Sequence, residues 1–344
     1  MTVDLKRLAA AAFTLAAGAA GGAAFFLFGL PAAWLTGSML VVTVLALCKA
    51  PVVLHDPLRF VIFLALGVQI GSGFSPETLP SAVKWPLSLA GLGLTVLLVI
   101  AASTAFLANL GKWSKPTAFY ASVPGALSYV LALSLRSAAD TRQVMLAQML
   151  RLVSLLAILP SVLTVSLATA NIPVPASTDL LSVALLFALG GVLGFVLEKR
   201  NFPAGALFGG MIASSILHLT GTVSGQMPPA ILIPCQIVLG VLIGARFVNT
   251  DLSFLAKAFL PSFGAFLLAV AISSCAALLV AWGLNLPPGQ VVVAFAPGGI
   301  EAMTLLAIVL GLDPAFVATH QLARFFGLAL TLPLIAKIYL KGPI

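Results

Sequence analysis

Long apolar runs, each about the length of a bilayer crossing, fill nearly the whole chain; short stretches holding most of the charged and many of the helix-breaking residues part them. At about 20 apolar residues per crossing, the runs predict helices near 8–29, 32–50, 57–75 and 81–109, then an apolar segment broken by Pro and Gly at 116–139 and a long helix at 141–169. The polar, Pro-containing stretch 171–178 reads as a linker. Behind it the plan recurs, with helices near 179–197, 203–221, 228–247 and 252–283, a broken segment at 288–312 and a last helix at 313–338. Lys6-Arg7 followed by an apolar run to Leu30 imitates a signal peptide. The run is longer than a signal's apolar core of about 7–15 residues, so it is expected to remain as the first helix.

The recurrence extends to individual residues. Pro124-Gly125 answers Pro297-Gly298, Asp140 answers Asp313, Gln148 answers Gln321, Arg151 answers Arg324 and Pro160 answers Pro333. From Pro to Asp, Gln, Arg and Pro the intervals are sixteen, eight, three and nine residues in both copies. PAAWLTGSM from Pro31 matches PAGALFGGM from Pro203, and LGVQIGSGF from Leu66 matches LGVLIGARF from Leu239. Gly18 and Gly22 answer Gly190 and Gly194, a GxxxG spacing that favours close helix packing; Gly67 and Gly71, with Gly240 and Gly244, read as packing positions too. Such ungapped agreement marks an internal duplication. The expected domains are a first repeat over 1–170, the linker 171–178 and a second repeat over 179–344.

Composition turns these runs into membrane spans. The chain of 344 residues is 61% hydrophobic and 8% charged, against about 25% charged in soluble domains, and its mean hydropathy is +1.18. The net charge of +8 comes from scattered Lys and Arg with no basic tract, so no nucleic-acid partner is expected. Cys48, Cys235 and Cys275 lie in apolar stretches and His55, His218 and His320 stand far apart, so no metal or cofactor motif is present.

Charge also bears on topology. If the broken segments cross the bilayer, there are twelve crossings, and the fifteen Lys and Arg other than Arg151 and Arg324 divide eight inside to seven outside. If each is a re-entrant hairpin, Lys84 alone falls outside. Fourteen then lie inside: Lys6, Arg7, Lys49, Arg59, Lys112, Lys115, Arg136, Arg142, Lys199, Arg200, Arg246, Lys257, Lys337 and Lys341. The positive-inside rule selects the second arrangement. The expected fold is an all-α polytopic membrane protein of two inverted repeats, each of five transmembrane helices plus one re-entrant hairpin. That makes ten crossings and two hairpins (116–139 and 288–312), with both termini cytoplasmic. Arms of about twelve residues reach roughly 18 Å, half the hydrocarbon thickness, so the two Pro-Gly tips are expected to meet near the bilayer centre.

The chemistry concentrates there. Arg151 and Arg324 each lie eleven residues past the Asp that opens their helix, outside the loops that hold the other cations. A guanidinium fork suits a carboxylate or another oxyanion, and broken helices can offer backbone N–H groups to anions. The candidate binding set is Arg151 and Arg324, with Gln148 and Gln321 one turn earlier to orient, and the backbone at Pro124, Gly125, Ala126, Pro297, Gly298 and Gly299. Glu301 has no acidic counterpart, Ser128 standing in its place. It reads either as a protonatable coupling group or as a partner of Arg324. The arginines have their own plain reading, as parts of structural pairs or as snorkelling side chains, and the Pro-Gly pairs could be helix kinks. His320, opposite Ala147 in the first copy, reads as structural, and Asp140 and Asp313 as helix starts.

With these motifs assembled, the chain resembles the membrane AbrB family, whose members carry a duplicated module with the Pro-x-x-x-Leu-x-Gly-x-Met and Pro-Gly…Asp…Gln-x-x-Arg elements. Both elements occur twice here, and the resemblance covers nearly the whole chain. The family shares its name with a small soluble DNA-binding regulator that this sequence does not resemble. Labels attached to such proteins are ammonia monooxygenase and regulator of gene expression; the first would need metal ligands, which the histidine inventory does not offer. In architecture alone the plan is similar to inverted-repeat carriers with paired re-entrant hairpins, such as glutamate/sodium and citrate/sodium symporters. The expected function is secondary transport of a small organic anion by alternating access, coupled to H+ or Na+, in the bacterial inner membrane. The alternative is a membrane-embedded ligand sensor of the same family that transports nothing. No ATP-binding loop occurs, no enzymatic activity or cofactor is expected, and a homo-oligomer is left open.

Overall fold

A computed structural model describes residues 5–53, 56–74, 76, 83, 85–125, 127–166, 177–200, 202 and 204–340. His55, Lys84, Ala126, Pro203, Lys341 and most of the linker (171–176) lie outside the described residues. Fourteen α-helices are described: α1 Leu5–Leu27, α2 Ala33–Leu47, α3 Asp56–Gly71, α4 Trp85–Asn109, α5 Lys115–Ser122, α6 Leu127–Ser134, α7 Thr141–Ser166, α8 Leu180–Lys199, α9 Gly205–Leu219, α10 Pro229–Gly244, α11 Leu252–Leu284, α12 Pro288–Phe295, α13 Ile300–Val309 and α14 Pro314–Leu340. Extended pairing among the described residues is limited to a single bridge, Ser177 with Gln226.

Seven of these helices (α1, α4, α7, α8, α10, α11 and α14) are long and apolar enough to cross a membrane; α2, α3 and α9 are apolar but shorter. Large apolar side chains stand on their outer surfaces, among them Leu181 at 81% exposure, Trp282 at 83% and Leu330 at 81%. Protein-facing and outward faces are therefore alike in polarity, as a lipid surround demands and water would not allow. This is a membrane-type protein.

Both broken segments are interrupted where Pro and Gly predict, between α5 and α6 and between α12 and α13. Their helical arms are shorter than expected. They run 8, 8, 8 and 10 residues, about 12–15 Å at 1.5 Å per residue, because the expected length counted turn residues such as 135–139. The cations expected in loops are also relocated in part: Lys6, Arg7, Arg59, Lys115, Arg142, Lys199, Lys257 and Lys337 lie within α-helices, towards their ends. Backbone conformations also agree at positions that the sequence match aligns. Left-handed conformations recur at Ala32 (φ 51°) and Ala204 (φ 54°), at Lys49 (φ 60°) and Gly221 (φ 70°), and at Lys112 (φ 57°) and Asn285 (φ 52°).

The chain forms two compact units, and each draws on both halves of the sequence. The first holds α1–α3, α8–α10 and the stretch Thr304–Ala315. Here α3 packs on α9 and α10 packs on α2, while α1 pairs with α2 and α8 with α9. Glycine makes these contacts. A Cβ on Gly71 would fall 2.6 Å from Met211 O, one on Gly244 2.7 Å from Met39 O, and one on Gly194 2.9 Å from Ala206 Cα. Those distances exclude any side chain, so the expected packing role of these glycines holds. Polar side chains of α9 are satisfied within this unit: His218 reaches Ser214 O at 2.8 Å and Gly225 O at 3.2 Å, and Ser214 Oγ donates to Val68 O at 2.7 Å.

The second unit holds α4–α6, most of α7, α11, α12, the start of α13 and nearly all of α14. α4 packs along α11, α5 along α4 and α12 along α11. Every residue from Thr117 to Ser122 in α5 is buried. The described candidate site residues all lie in this unit.

Candidate functional site

Asp140 and Asp313 open α7 and α14 as N-caps. Asp140 Oδ1 accepts from Arg142 N (3.0 Å) and Gln143 N (3.1 Å), and Asp313 Oδ1 accepts from Ala315 N (2.9 Å). Arg151 and Arg324 are thus the eleventh residues of α7 and α14, roughly 16 Å along the axis. Both are buried, at 8% and 5% exposure.

The repeated spacing of Pro, Gln and Arg has a physical reason in the way a helix ends. The last carbonyls of a helix lack intrahelical partners, and proline worsens this because it has no N–H. Pro124 denies a donor to Tyr120 O, four residues back, and Pro297 does the same to Val293 O. Glutamine from the neighbouring long helix supplies what is missing. Gln148 Nε2 donates to Tyr120 O (3.2 Å) and Val123 O (2.9 Å). Gln321 Nε2 donates to Val293 O (3.3 Å), Ala294 O (3.1 Å) and Ala296 O (3.4 Å). Arginine, one turn on, completes the cap: Arg151 Nη1 donates to Val123 O at 3.1 Å and Nη2 to Gln148 Oε1. Arg324 Nη1 donates to Ala296 O at 2.6 Å, and its Nη2 to Gly298 O and Gln321 Oε1. Each guanidinium therefore sits at the C-terminal, negative end of a short helix, where a cation is favoured.

The two helix breaks also approach each other. Gly125 has φ +82°, a left-handed conformation, and a Cβ built on it would lie 3.5 Å from Arg324 Nη2 and 3.6 Å from Gly298 O. Pro124, Pro297 and Gly298 are buried, with Gly125 and Gly299 half-buried. Ala126 lies outside the described residues.

Three details of the geometry bear on the sequence reading. The arginines meet carbonyl oxygens of the breaks, whereas backbone N–H groups were expected to line the site beside them; a cation at a helix C-terminus has only acceptors to face. Glu301, in the first turn of α13, makes no ion pair with Arg324, whose Nη1 and Nη2 reach the tip carbonyls and Gln321 instead. Neither arginine has a carboxylate partner among the described residues. Third, sequence reasoning passed over a cavity of about 20 Å³ in this unit, lined by Arg151 with Ser103, Ser122 and Ser262. Its only sequence signal is serine within apolar helices, a pattern shared with many serines that merely bond their own backbone.

His320 is held by its surroundings: its Nδ1 donates to Phe316 O at 2.8 Å and its Nε2 lies 2.7 Å from the Ser88 hydroxyl. The ring lies 4.0 Å from that of Phe316, centroid to centroid. No cluster of three or more His, Cys, Asp or Glu able to hold a metal occurs among the described residues.

Residues 34–340 match the protein family described as "Transition state regulatory protein AbrB". Over 347 aligned residues the chain is 24% identical to "Uncharacterized protein YhjN" of Bacillus subtilis (strain 168), covering 93% of this chain and 90% of that protein. Over 327 residues it is 27% identical to "Putative regulator AbrB" of Escherichia coli (strain K12), covering 91% of each.

Proposed function

The chain belongs to the AbrB family, and on that premise we propose that it is a secondary carrier of a small organic anion, working by alternating access. The observation that carries the reading is the pair of buried guanidinium groups, 8% and 5% exposed, with no carboxylate partner among the described residues. Buried charge inside a membrane is costly and marks a functional site by default, and a positive pair that no carboxylate neutralises is suited to an anion. Helix breaks and arginines half-way along long helices match the way inverted-repeat carriers build midplane sites. Arg151 and Arg324 hold the anion, Gln148 and Gln321 fix the helix breaks around it, and Glu301 links its movement to H+ or Na+. The driving force is an ion gradient, and the protein performs no chemical conversion.

The topology belongs to the same proposal. Seven long helices plus α2, α3 and α9 make ten crossings; α5–α6 and α12–α13 form two re-entrant hairpins from opposite faces, and the repeats over 1–170 and 179–344 are inverted. The charge asymmetry supports cytoplasmic termini, in a bacterial inner membrane. Single cysteines at Lys84 and Lys115, in a background without the three native cysteines, test this with a membrane-impermeant thiol reagent. Labelling of Lys84→Cys alone from outside supports the arrangement; labelling of both defeats it.

Uptake into sealed vesicles tests transport itself. Protein reconstituted in liposomes is expected to accumulate a labelled small carboxylate under an imposed ion gradient, and Arg151→Ala or Arg324→Ala to abolish it. The names of the family and of the Escherichia coli relative favour a second reading, a membrane sensor that binds a ligand without moving it. Saturable binding with no flux above protein-free liposomes decides for the sensor.

A further inference from the structure

Accounting for the buried hydroxyl groups of the second unit exposes an asymmetry between the two arginines. Serine and threonine in an apolar helix ordinarily return their hydrogen to the carbonyl one turn back. Thr95 bonds Gly91 O at 2.7 Å and Ser122 bonds Ala118 O at 2.7 Å in this way. Ser103 in α4 and Ser262 in α11, 2% and 3% exposed, do not: neither hydroxyl has a hydrogen-bond partner. A buried donor left without a partner is disfavoured, and two of them line one cavity of about 20 Å³ together with Arg151.

Each unpartnered group in this cavity can donate: two serine hydroxyls and the remaining guanidinium N–H groups. A guanidinium carries five N–H groups, and Arg151 directs only two of them, to Val123 O and Gln148 Oε1. No Asp or Glu lines the cavity. The second copy offers nothing comparable. In the register that aligns Arg151 with Arg324, Ala276 answers Ser103 and Leu89 answers Ser262, and Arg324 has an additional tip carbonyl, Gly298 O, as acceptor. A volume of about 20 Å³ exceeds the roughly 10–15 Å³ that one water-sized group needs, so it takes one ligand oxygen.

We propose that Arg151, Ser103 and Ser262 form a subsite for one oxygen of a small carboxylate, which accepts from both hydroxyls and from the guanidinium. The inference rests on the anion-carrier reading and gives it a substrate class and a side: the head group is held at the first-repeat arginine.

The test is thermal stabilisation of the purified full-length protein in detergent by formate, acetate, succinate and chloride at matched ionic strength. Wild type is compared with Ser103→Ala, Ser262→Ala and the double variant. Removing an unpartnered hydroxyl leaves the ligand-free melting temperature unchanged or raised, whereas a serine with a structural bond would lower it. With the carboxylates, each variant should bind on the order of tenfold more weakly, the loss of a hydrogen bond to a charged group, and the double variant should show no shift. A carboxylate shift that survives in the double variant overturns the subsite and leaves the carrier reading intact. No shift by any carboxylate in wild type removes the carrier reading as well. A shift by chloride alone, lost in the double variant, overturns the carboxylate class.

Discussion

Substitution of Gln321 by leucine isolates the role of the capping pair. Gln321 is fully buried, and leucine replaces it at nearly equal volume, so no cavity term enters. What changes is hydrogen bonding. The Nε2 amide is the donor to Val293 O and Ala294 O, while Ala296 O keeps Arg324 Nη1. The loss therefore leaves two carbonyls and one guanidinium N–H without a partner. At about 1–3 kcal/mol per orphaned buried group, and with one amide shared among three acceptors, Gln321→Leu should cost roughly 3–5 kcal/mol. Gln148→Leu strands Tyr120 O and one guanidinium N–H, since Val123 O keeps Arg151, and should cost roughly 2–4 kcal/mol. Denaturant titration in mixed micelles, followed by the fluorescence of the four tryptophans, measures both. Losses below about 1 kcal/mol in both variants would refute the view that these glutamines stand in for the proline N–H.

Other outcomes follow from the same geometry. Gly240→Ala sets a methyl 2.5 Å from Leu35 O and should cost about 1–3 kcal/mol, whereas Gly283→Ala, with nothing within 4 Å, should gain about 0.5–1 kcal/mol of helix stability; the same titration should show opposite signs. Asp140→Ala removes the cap of α7 and should cost about 1 kcal/mol, read as a lowered melting temperature. Gly125→Ala keeps ordinary contact distances but holds a side chain at φ +82°, and should lower stability by about 1–2 kcal/mol.

Much of this was legible in the sequence because the signals were discrete. Length and hydropathy located the helices, and Pro-Gly pairs located the breaks between α5 and α6 and between α12 and α13. Equal intervals tied Gln148 and Arg151 to the first break and Gln321 and Arg324 to the second. Direction was not legible. A helix that is apolar all round has no polar face to set its rotation, so nothing marked Ser103 as unbonded and Thr95 as bonded. Nor could spacing tell that the arginines meet carbonyls, since that depends on which end of each short helix reaches them. Of the two readings open for Glu301, the pair with Arg324 is not formed, since the Nη1 and Nη2 of that guanidinium reach Ala296 O, Gly298 O and Gln321 Oε1 instead.

The packing of α3 on α9 and of α10 on α2 has a consequence for how the chain is made. The flat glycine face of α3, with Gly67 and Gly71, is finished long before its partner around Leu207 and Met211 has left the ribosome. The first half of the protein must therefore wait, half-docked in the bilayer, for the second to arrive.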